Sequence, residues 1–157
     1  MERKAYTGPH QITLPAWISP APFEKLLAME IVQASEGEAL LTMPFLASFA
    51  QGVGLMHGGA LASLADTALA MAVKSILAPG TCFVTLDMAN RFLYPVKKGT
   101  LQARARIVER EGAVIKGKCE VLDDEGRTVM TSASVFKVTR SPETKTVYSG
   151  DGSQHAK

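Results

Sequence analysis

The sequence has few of the residues that bind metals or form cross-links. Its two cysteines, Cys82 and Cys119, form no CxxC pair, and its three histidines lie far apart, at positions 10, 57 and 155. Zinc, haem and redox-disulfide motifs need closer spacings than these. We therefore expect neither a bound metal nor a cofactor.

The sequence also has little excess charge and no long apolar run. Seventeen Lys and Arg against fifteen Asp and Glu leave a formal net charge of +2, too little for bulk electrostatic binding of DNA or RNA. The longest apolar segment is interrupted by Asp66 and Lys74, so it does not read as a membrane span, and no signal peptide is visible. The sequence predicts a cytoplasmic protein that binds neither nucleic acid nor membrane.

Length and hydropathy predict one domain with an appendage at each end. The chain has 157 residues, 46% of them hydrophobic, which is enough for a core that needs no metal or disulfide. Residues 1–22 contain four prolines, and residues 141–157 are polar and rich in Gly, Ser and Thr. We expect an N-terminal extension over 1–22, the domain over 23–140 and a disordered tail over 141–157.

Hydrophobic periodicity predicts one long helix and an antiparallel sheet. Apolar residues recur every three or four positions from His57 to Ala78, where Pro79-Gly80 ends the helix, and a short helix is expected near Ser19-Pro20. Alternating side chains predict strands at 30–35, 38–43, 82–94, 100–110, 113–122 and 128–138. A curved sheet wrapped around the helix would bury the apolar faces of both, so we expect an α+β fold.

The residues suited to chemistry concentrate where a loop meets the long helix, between Gln51 and Gly59. The first turn of a helix carries free N–H groups and a positive dipole end, which suit an anionic oxygen. Gly58 and Gly59 leave these N–H groups sterically open. The same two glycines are equally compatible with close packing at a helix start and nothing more.

Asp66 is the second candidate, because it lies in mid-helix among alanines and leucines. A carboxylate in that setting has low helix propensity and, if buried, a desolvation cost. The alternative is a solvent-facing residue on a polar stripe with Ser63 and Lys74.

Two segments carry a family resemblance: GLMHGGALASLAD at 54–66, and VTLDMANRFLYP at 84–95 with Lys97-Lys98-Gly99 after it. They resemble the hotdog-fold acyl-CoA thioesterases, specifically the PaaI-like branch named for phenylacetic acid degradation. The likeness covers about residues 23–140. It implies a hotdog fold and hydrolysis of an acyl- or aryl-CoA thioester, with coenzyme A as part of the substrate.

The resemblance also implies roles for single residues. Asp66 is similar to the family's catalytic carboxylate, a general base or nucleophile, and the Gly58 N–H to its oxyanion donor. His57 matches a residue that shapes the helix entrance, and Thr85 one whose hydroxyl holds water or orients the carboxylate. Gln51 stands at a water-positioning place where relatives often carry Asn. The residues expected to contact the substrate are Met56, Gly59, Asn90, Lys97, Lys98 and Arg110.

Helix geometry predicts that the site is shared between two chains. Asp66 follows Gly58 by eight residues, about 12 Å along the axis. The carboxylate must lie about 3–3.5 Å from the carbonyl carbon of the thioester, while the oxygen of that carbonyl contacts the Gly58 N–H. Two antiparallel helices related by a two-fold axis can satisfy both conditions. We expect a homodimer with shared sites, and a tetramer of two such dimers.

Basic residues between positions 91 and 118 form the last pattern. By strand alternation Arg104, Arg106 and Arg110 are expected on one face of the sheet. As a group these basic residues suit the phosphates of coenzyme A, and the alternative is an ordinary solvated face. The set comprises Arg91, Lys97, Lys98, Arg104, Arg106, Arg110, Lys116 and Lys118.

Two other functions are left open by the sequence. A non-catalytic hotdog module could bind an acyl thioester as a sensor or regulator, but it would not need a carboxylate at Asp66. A hydratase or dehydratase of the same fold needs a histidine and an acid together across the site, and His57 is the candidate histidine.

Overall fold

A 17-residue helix lies across one face of a six-stranded antiparallel sheet. The computed structural model describes residues 11–140 and 147–149. The elements in chain order are β1 (Thr13–Leu14), α1 (Pro22–Leu26), β2 (Glu30–Ser35), β3 (Glu38–Pro44), a 3-10 turn (Ala47–Phe49), α2 (Gly58–Lys74), β4 (Cys82–Phe92), β5 (Thr100–Glu111), β6 (Val114–Leu122), β7 (Thr128–Thr139) and β8 (Val147–Tyr148). The predicted α+β hotdog fold is confirmed.

Both helices differ from their predicted bounds for local reasons. The short helix begins at Pro22, not near Ser19, because the Ser19 hydroxyl donates to Ala16 O (2.8 Å) while the Glu24 carboxylate accepts from the Ala21 N–H (3.1 Å). The long helix ends at Lys74. Beyond it, Ile76 and Leu77 donate to carbonyls only three residues back, which is the tighter 3-10 pattern.

The sheet has the strand order β2-β3-β5-β6-β7-β4, so β4 forms one edge. The buried side of α2 packs chiefly on β3 and β5, and next on β6. Side chains on these strands alternate between the helix and solvent, as the period-two pattern predicts. The fully buried core side chains include Leu41, Met43, Leu64, Leu69, Leu101, Ile115 and Phe136.

A β-bulge in β5 changes which face the last residues of this strand occupy. Ile107 pairs with Gly117, but Glu109 pairs with Lys116, so one extra residue lies between them. Arg110 consequently pairs with Ile115, which is fully buried on the helix side. The prediction that Arg110 shares a face with Arg104 and Arg106 is therefore wrong.

The segment before α1 is fastened to the end of α2. The Trp17 indole donates to Lys74 O (3.0 Å), the Lys74 ammonium donates to Trp17 O (3.0 Å), and the ammonium lies 4.8 Å from the indole centroid. Strand β1 pairs in parallel with β8. Residues 1–10, 141–146 and 150–157 of the expected extension and tail lie outside the described residues. No helix in the described ranges is long and apolar enough to cross a membrane.

Gly117 allows a close approach of α2 to the sheet. A Cβ at this position would lie 2.6 Å from Leu69 Cδ2 and 3.2 Å from Arg106 O. Because Leu69 is fully buried, its side chain has little room to move aside. The absence of a side chain on β6 thus sets how deeply the helix packs.

We predict that Gly117→Ala lowers the free energy of unfolding by about 1–3 kcal/mol, the usual cost of overpacking. Gly52→Ala is the matched control, since nothing lies within 4 Å of a Cβ there. Urea denaturation of both variants measures the difference. Equal stability of the two variants would contradict close packing at Gly117.

Candidate active site

The start of α2 leaves one backbone donor free. His57 is the N-cap, and its Nδ1 accepts a hydrogen bond from the Gly59 N–H at 2.8 Å. The His57 carbonyl accepts from the Ala60 N–H, and the His57 N–H donates to Phe49 O. Within residues 11–140 and 147–149, no group accepts a hydrogen bond from the Gly58 N–H. This donor therefore lies unpaired at the positive end of a 17-residue helix.

His57 explains why a second glycine follows. A Cβ on Gly59 would lie 2.9 Å from His57 Nδ1, so glycine makes room for the capping imidazole. The sequence predicts sterically open N–H groups at both Gly58 and Gly59, with Gly58 as the oxyanion donor. The structure gives the Gly59 N–H to His57 and leaves the Gly58 N–H for another acceptor.

Asp66 is half-buried and held by a hydrogen bond, unlike a freely solvated stripe residue. The Thr85 hydroxyl of β4 donates to Asp66 Oδ1 at 3.0 Å. Burial raises the pKa of the Asp66 carboxyl above its ordinary value of 3.8, the Thr85 hydrogen bond opposes that rise, and the charge of Glu24 adds to it. The result is a carboxylate that holds its proton more tightly than a solvated one.

A second β-bulge aims Thr85 at the helix. Thr85 pairs with Phe136 and Asp87 with Val135, so Leu86 is the extra residue. Bulges of this kind redirect side chains next to functional sites. Simple alternation along the sequence could not reveal it, because the bulge exists only in the pairing of β4 with β7.

Strand β4 touches α2 at a second point, near the free donor. A Cβ on Gly58 would lie 3.3 Å from Phe92 Cε1, so the Phe92 ring covers this glycine. Thr85 contacts the middle of the helix and Phe92 contacts its start. Within one chain, Asp66 and Gly58 are thus separated by about 12 Å of helix.

Two loops lie beside the helix entrance. The Gln51 side-chain carbonyl accepts from the Val53 N–H (2.7 Å), which ties it to its own turn. The Met56 N–H donates to Val96 O (2.9 Å), so the loop that carries Lys97 and Lys98 runs next to the entrance. The structure therefore places the loop of the two lysines beside Met56, two residues before Gly58.

A cavity of about 380 Å³ opens between α1 and the first turns of α2. Its lining is mostly apolar, with polar groups from the helix entrance. The lining residues are Phe23, Leu27, Ser48, Phe49, Ala50, His57, Gly59, Ala60 and Ser63. Sequence reasoning missed Phe23 and Leu27, since only the tertiary fold brings α1 to this end of α2.

The structure divides the basic residues into separate groups. Arg91, Arg104, Arg106 and Lys118 line a groove of about 790 Å³ on the sheet face that points away from α2. Lys116 forms an ion pair with Glu109 (2.6 Å). Only Lys97 and Lys98 lie in the loop beside the helix entrance, so the set does not act as one phosphate site within a single chain.

Other potential nucleophiles and ligands do not converge on the entrance. Cys119 is buried in the core, and burial raises the pKa of its thiol to about 12, so the thiol is protonated at neutral pH. Among the described residues, no three His, Cys, Asp or Glu side chains lie together as metal ligands would.

Comparisons with known proteins identify the family and the fold of the chain. The family model of the thioesterase superfamily matches residues 53–130, which include α2 and β4. Acyl-coenzyme A thioesterase PaaI of Escherichia coli is 36% identical over 106 residues, which cover 67% of this chain and 74% of that protein. Among solved structures, the E. coli PaaI protein from the phenylacetic acid degradation operon is 29% identical with a TM-score of 0.70, over 76% of this chain and 85% of that chain. A hypothetical thioesterase protein from Streptococcus pneumoniae, solved with coenzyme A, is 25% identical with a TM-score of 0.66, over 71% of this chain and 85% of that chain.

We predict opposite pKa shifts at Asp66 from two substitutions. Thr85→Val removes the hydrogen bond that favours the carboxylate, so the pKa of Asp66 rises further. Glu24→Gln removes a like charge, so the pKa falls. Carbon-13 NMR titration of the Asp66 carboxyl measures both, with the unchanged protein as reference. Shifts of the same sign in the two variants would disprove this account of the site.

Proposed function

Since the chain belongs to the hotdog-fold thioesterase superfamily, we propose that it hydrolyses the thioester bond of an acyl-coenzyme A. It is a thioester hydrolase, and acyl-CoA is the substrate class for which its E. coli relative is named. The observation that carries the proposal is that α2 provides two different chemical groups. One is a half-buried carboxylate held by Thr85, and the other is the unpaired Gly58 N–H.

The two groups have complementary roles in hydrolysis. As negative charge builds on the thioester oxygen, the Gly58 N–H donates to it, aided by the helix dipole. Asp66 takes the proton of an attacking water and passes it to the leaving thiolate, or it attacks the carbonyl carbon itself, expels the thiolate and forms a mixed anhydride that water then hydrolyses. Its raised pKa makes the ionised carboxylate a stronger base than a solvated one. Coenzyme A leaves as the thiol, and the acyl group leaves as a carboxylic acid.

Two copies of the chain are needed to bring these groups together. Thr85 is the residue of β4 that contacts Asp66, and Phe92 is the residue of β4 that lies against Gly58. Antiparallel pairing of β4 with the β4 of a second copy, about a two-fold axis near Met88-Ala89, would set Thr85 beside the partner's Phe92. Asp66 then lies beside the partner's Gly58, and two equivalent sites form.

The free edge of β4 supports this pairing. β4 is the last strand of the sheet, and apolar side chains on it and just beyond it are exposed, with Leu86 at 57% and Phe92 at 53%. An exposed apolar edge strand favours pairing with another chain. The exposed apolar residues of this edge are Val84, Leu86, Phe92, Leu93 and Tyr94.

The remaining parts of the substrate have candidate places. Lys97 and Lys98 beside the entrance can bind the phosphates of coenzyme A, and the cavity beneath α1 can hold the acyl group. No cofactor other than the substrate's own coenzyme A is used. The tetramer of two dimers, the cytoplasmic location, the water-positioning role of Gln51 and the substrate contact of Arg110 stay predictions.

We predict that Asp66→Asn lowers kcat for acyl-CoA hydrolysis by about 10²–10⁴, the usual contribution of a positioned acid–base group. Turnover of a panel of acyl-CoA thioesters by the purified variant and the unchanged protein measures it. Near-normal turnover by the variant would exclude Asp66 as the catalytic carboxylate, and an unchanged protein inactive on every acyl-CoA would overturn the proposed substrate class.

A stability measurement separates this loss from unfolding. The folded pKa of Asp66 is raised, so its contribution to stability is fully favourable only below the unfolded pKa and is lost as pH rises through the folded pKa. Asparagine avoids the cost of burying the charge. Asp66→Asn should therefore raise Tm at pH 7 and leave Tm nearly unchanged at pH 3.

We predict that two inactive variants restore activity to each other. Asp66→Ala lacks the carboxylate, and Gly58→Pro lacks the N–H at a first helical position that proline tolerates. His57 has ψ of 132°, which is compatible with a following proline. Random re-pairing makes about half the dimers mixed, with one intact site each, so ~25% of sites should return.

Subunit exchange is confirmed by mass spectrometry of the mixed dimers, and each variant alone serves as the control. If every chain carried its own complete site, mixing would restore nothing. Confirmed exchange without recovery would therefore rule out the shared site.

A further inference from the structure

Three side-chain oxygens are buried without a hydrogen-bond partner among the described residues. They are Asn90 Oδ1, Ser132 Oγ and Ser134 Oγ. The two serines are only 4% and 2% exposed. Unpaired buried polar atoms are costly, and proteins rarely keep them without a reason. On the same face of β7, Met130 and Phe136 show that apolar side chains fit this layer.

These residues form one group, because β4 and β7 are neighbours. Asn90 pairs with Ser132 and Met88 pairs with Ser134, all on the face that points to α2. Directly opposed residues have Cβ atoms about 4.5–5.5 Å apart. No direct hydrogen bond joins these side-chain oxygens, but at this separation one water can bridge them. A serine hydroxyl can donate to an amide carbonyl. The serines thus favour the orientation in which the Asn90 carbonyl points inward.

That orientation leaves the amide nitrogen of Asn90 on the open side. Nδ2 is not one of the buried atoms, and no group in the described part of the chain accepts a hydrogen bond from it. Asn90 is the inward-facing residue of β4 next to Phe92, which covers Gly58. Two residues of a strand span about 6.6 Å. Nδ2 is therefore a second free donor, two residues along β4 from the ring that covers Gly58.

We propose that Asn90 Nδ2 donates a hydrogen bond to a substrate oxygen near the thioester carbonyl, and that Ser132 and Ser134 are positioning residues for this amide. The proposal rests on acyl-CoA hydrolysis as the proposed function. Two oxygens of an acyl-CoA are near enough to the thioester carbonyl to be this acceptor. One is a hydroxyl or keto oxygen on the β-carbon of the acyl group, and the other is the carbonyl of the first pantetheine amide.

This donor would make the enzyme discriminate between acyl groups. An alkyl chain next to Asn90 removes water from the amide and returns no hydrogen bond, whereas an oxygen-bearing acyl group returns one. Sites that hydrogen-bond a substrate group reject analogues that lack it, because their own polar atoms are then left unpaired. The choice of substrate therefore decides whether the oxygen that accepts from Asn90 belongs to the acyl group or to the pantetheine.

The test compares Asn90→Ala with the unchanged protein on 3-hydroxybutyryl-CoA, butyryl-CoA and S-ethyl thiobutyrate, which has no amide. Loss of one neutral hydrogen bond should lower kcat/KM about 3- to 10-fold. A loss confined to 3-hydroxybutyryl-CoA identifies the acyl oxygen, and a loss on both CoA esters but not the ethyl ester identifies the pantetheine amide. No loss, or an equal loss on all three, overturns the proposal.

Further variants guard against a structural effect. Ser132→Ala should give a smaller loss on the same substrates, whereas its neighbour Thr131→Ala, on the opposite face of β7, should give none. If Asn90→Ala does not fold, Asn90→Asp keeps the shape and removes the donor, and the same comparison applies to it. A Ser132→Ala loss that follows other substrates than the Asn90 loss counts against the proposal.

Binding measurements keep this test independent of turnover. S-butyl-CoA and S-(3-hydroxybutyl)-CoA are thioethers that no thioesterase cleaves. Calorimetry should show that Asn90→Ala weakens binding of the hydroxylated thioether alone for the acyl source, or of both for the pantetheine source. Unchanged affinity for both overturns the role of Asn90, while failure of the unchanged protein to hydrolyse any acyl-CoA bears only on the proposed function.

Discussion

A single rigid helix fixes the distance between the two groups on which the proposed chemistry depends. Eight residues of α2 separate the Gly58 N–H from Asp66, about 12 Å along the axis, and a packed helix cannot shorten that distance. Because α2 is buried against β3 and β5, it is held rigid. The exposed edge of β4 follows from the same constraint, since a site split between two chains needs a surface along which they align. An exposed apolar edge strand favours aggregation in a monomer, but here the edge of β4 is the surface through which two chains would assemble the site.

The helix entrance shows how neighbouring residues divide the backbone donors. Four N–H groups at a helix start have no intrahelical acceptor, and here an N-cap histidine and nearby carbonyls supply acceptors around Gly58. Satisfying the surrounding donors keeps the first turn ordered, and leaving one donor unpaired preserves a place for an oxyanion. Asp66 is also left only partly satisfied, but it is a negatively charged acceptor and not a donor. Its burial disfavours the ionised form, and one hydroxyl, that of Thr85, offsets only part of this.

Much of the fold follows from the sequence, and the exceptions have identifiable causes. The period of the apolar residues predicts α2 and all six strands of the main sheet within a few residues, because each of these patterns is local. Arg110 was assigned to the wrong face, since a bulge depends on the partner strand and leaves no mark in the alternation. The capping role of His57 and the contribution of Phe23 and Leu27 to the cavity were missed for a related reason. Both depend on which atoms meet across the fold, and residue spacing alone does not contain that information.

The bulge at Leu86 also makes β4 more than an edge strand. With strict alternation from Asn90 and Phe92, the position of Thr85 would face away from α2; the extra residue Leu86 restores it to the inner face. One strand therefore presents a carboxylate-holding hydroxyl, an amide and a ring toward the helix, in that order from Thr85 to Phe92. The same insertion leaves the apolar Leu86 side chain exposed on the free edge. A local irregularity in strand pairing thereby couples the geometry of the candidate site to the surface through which two chains would join.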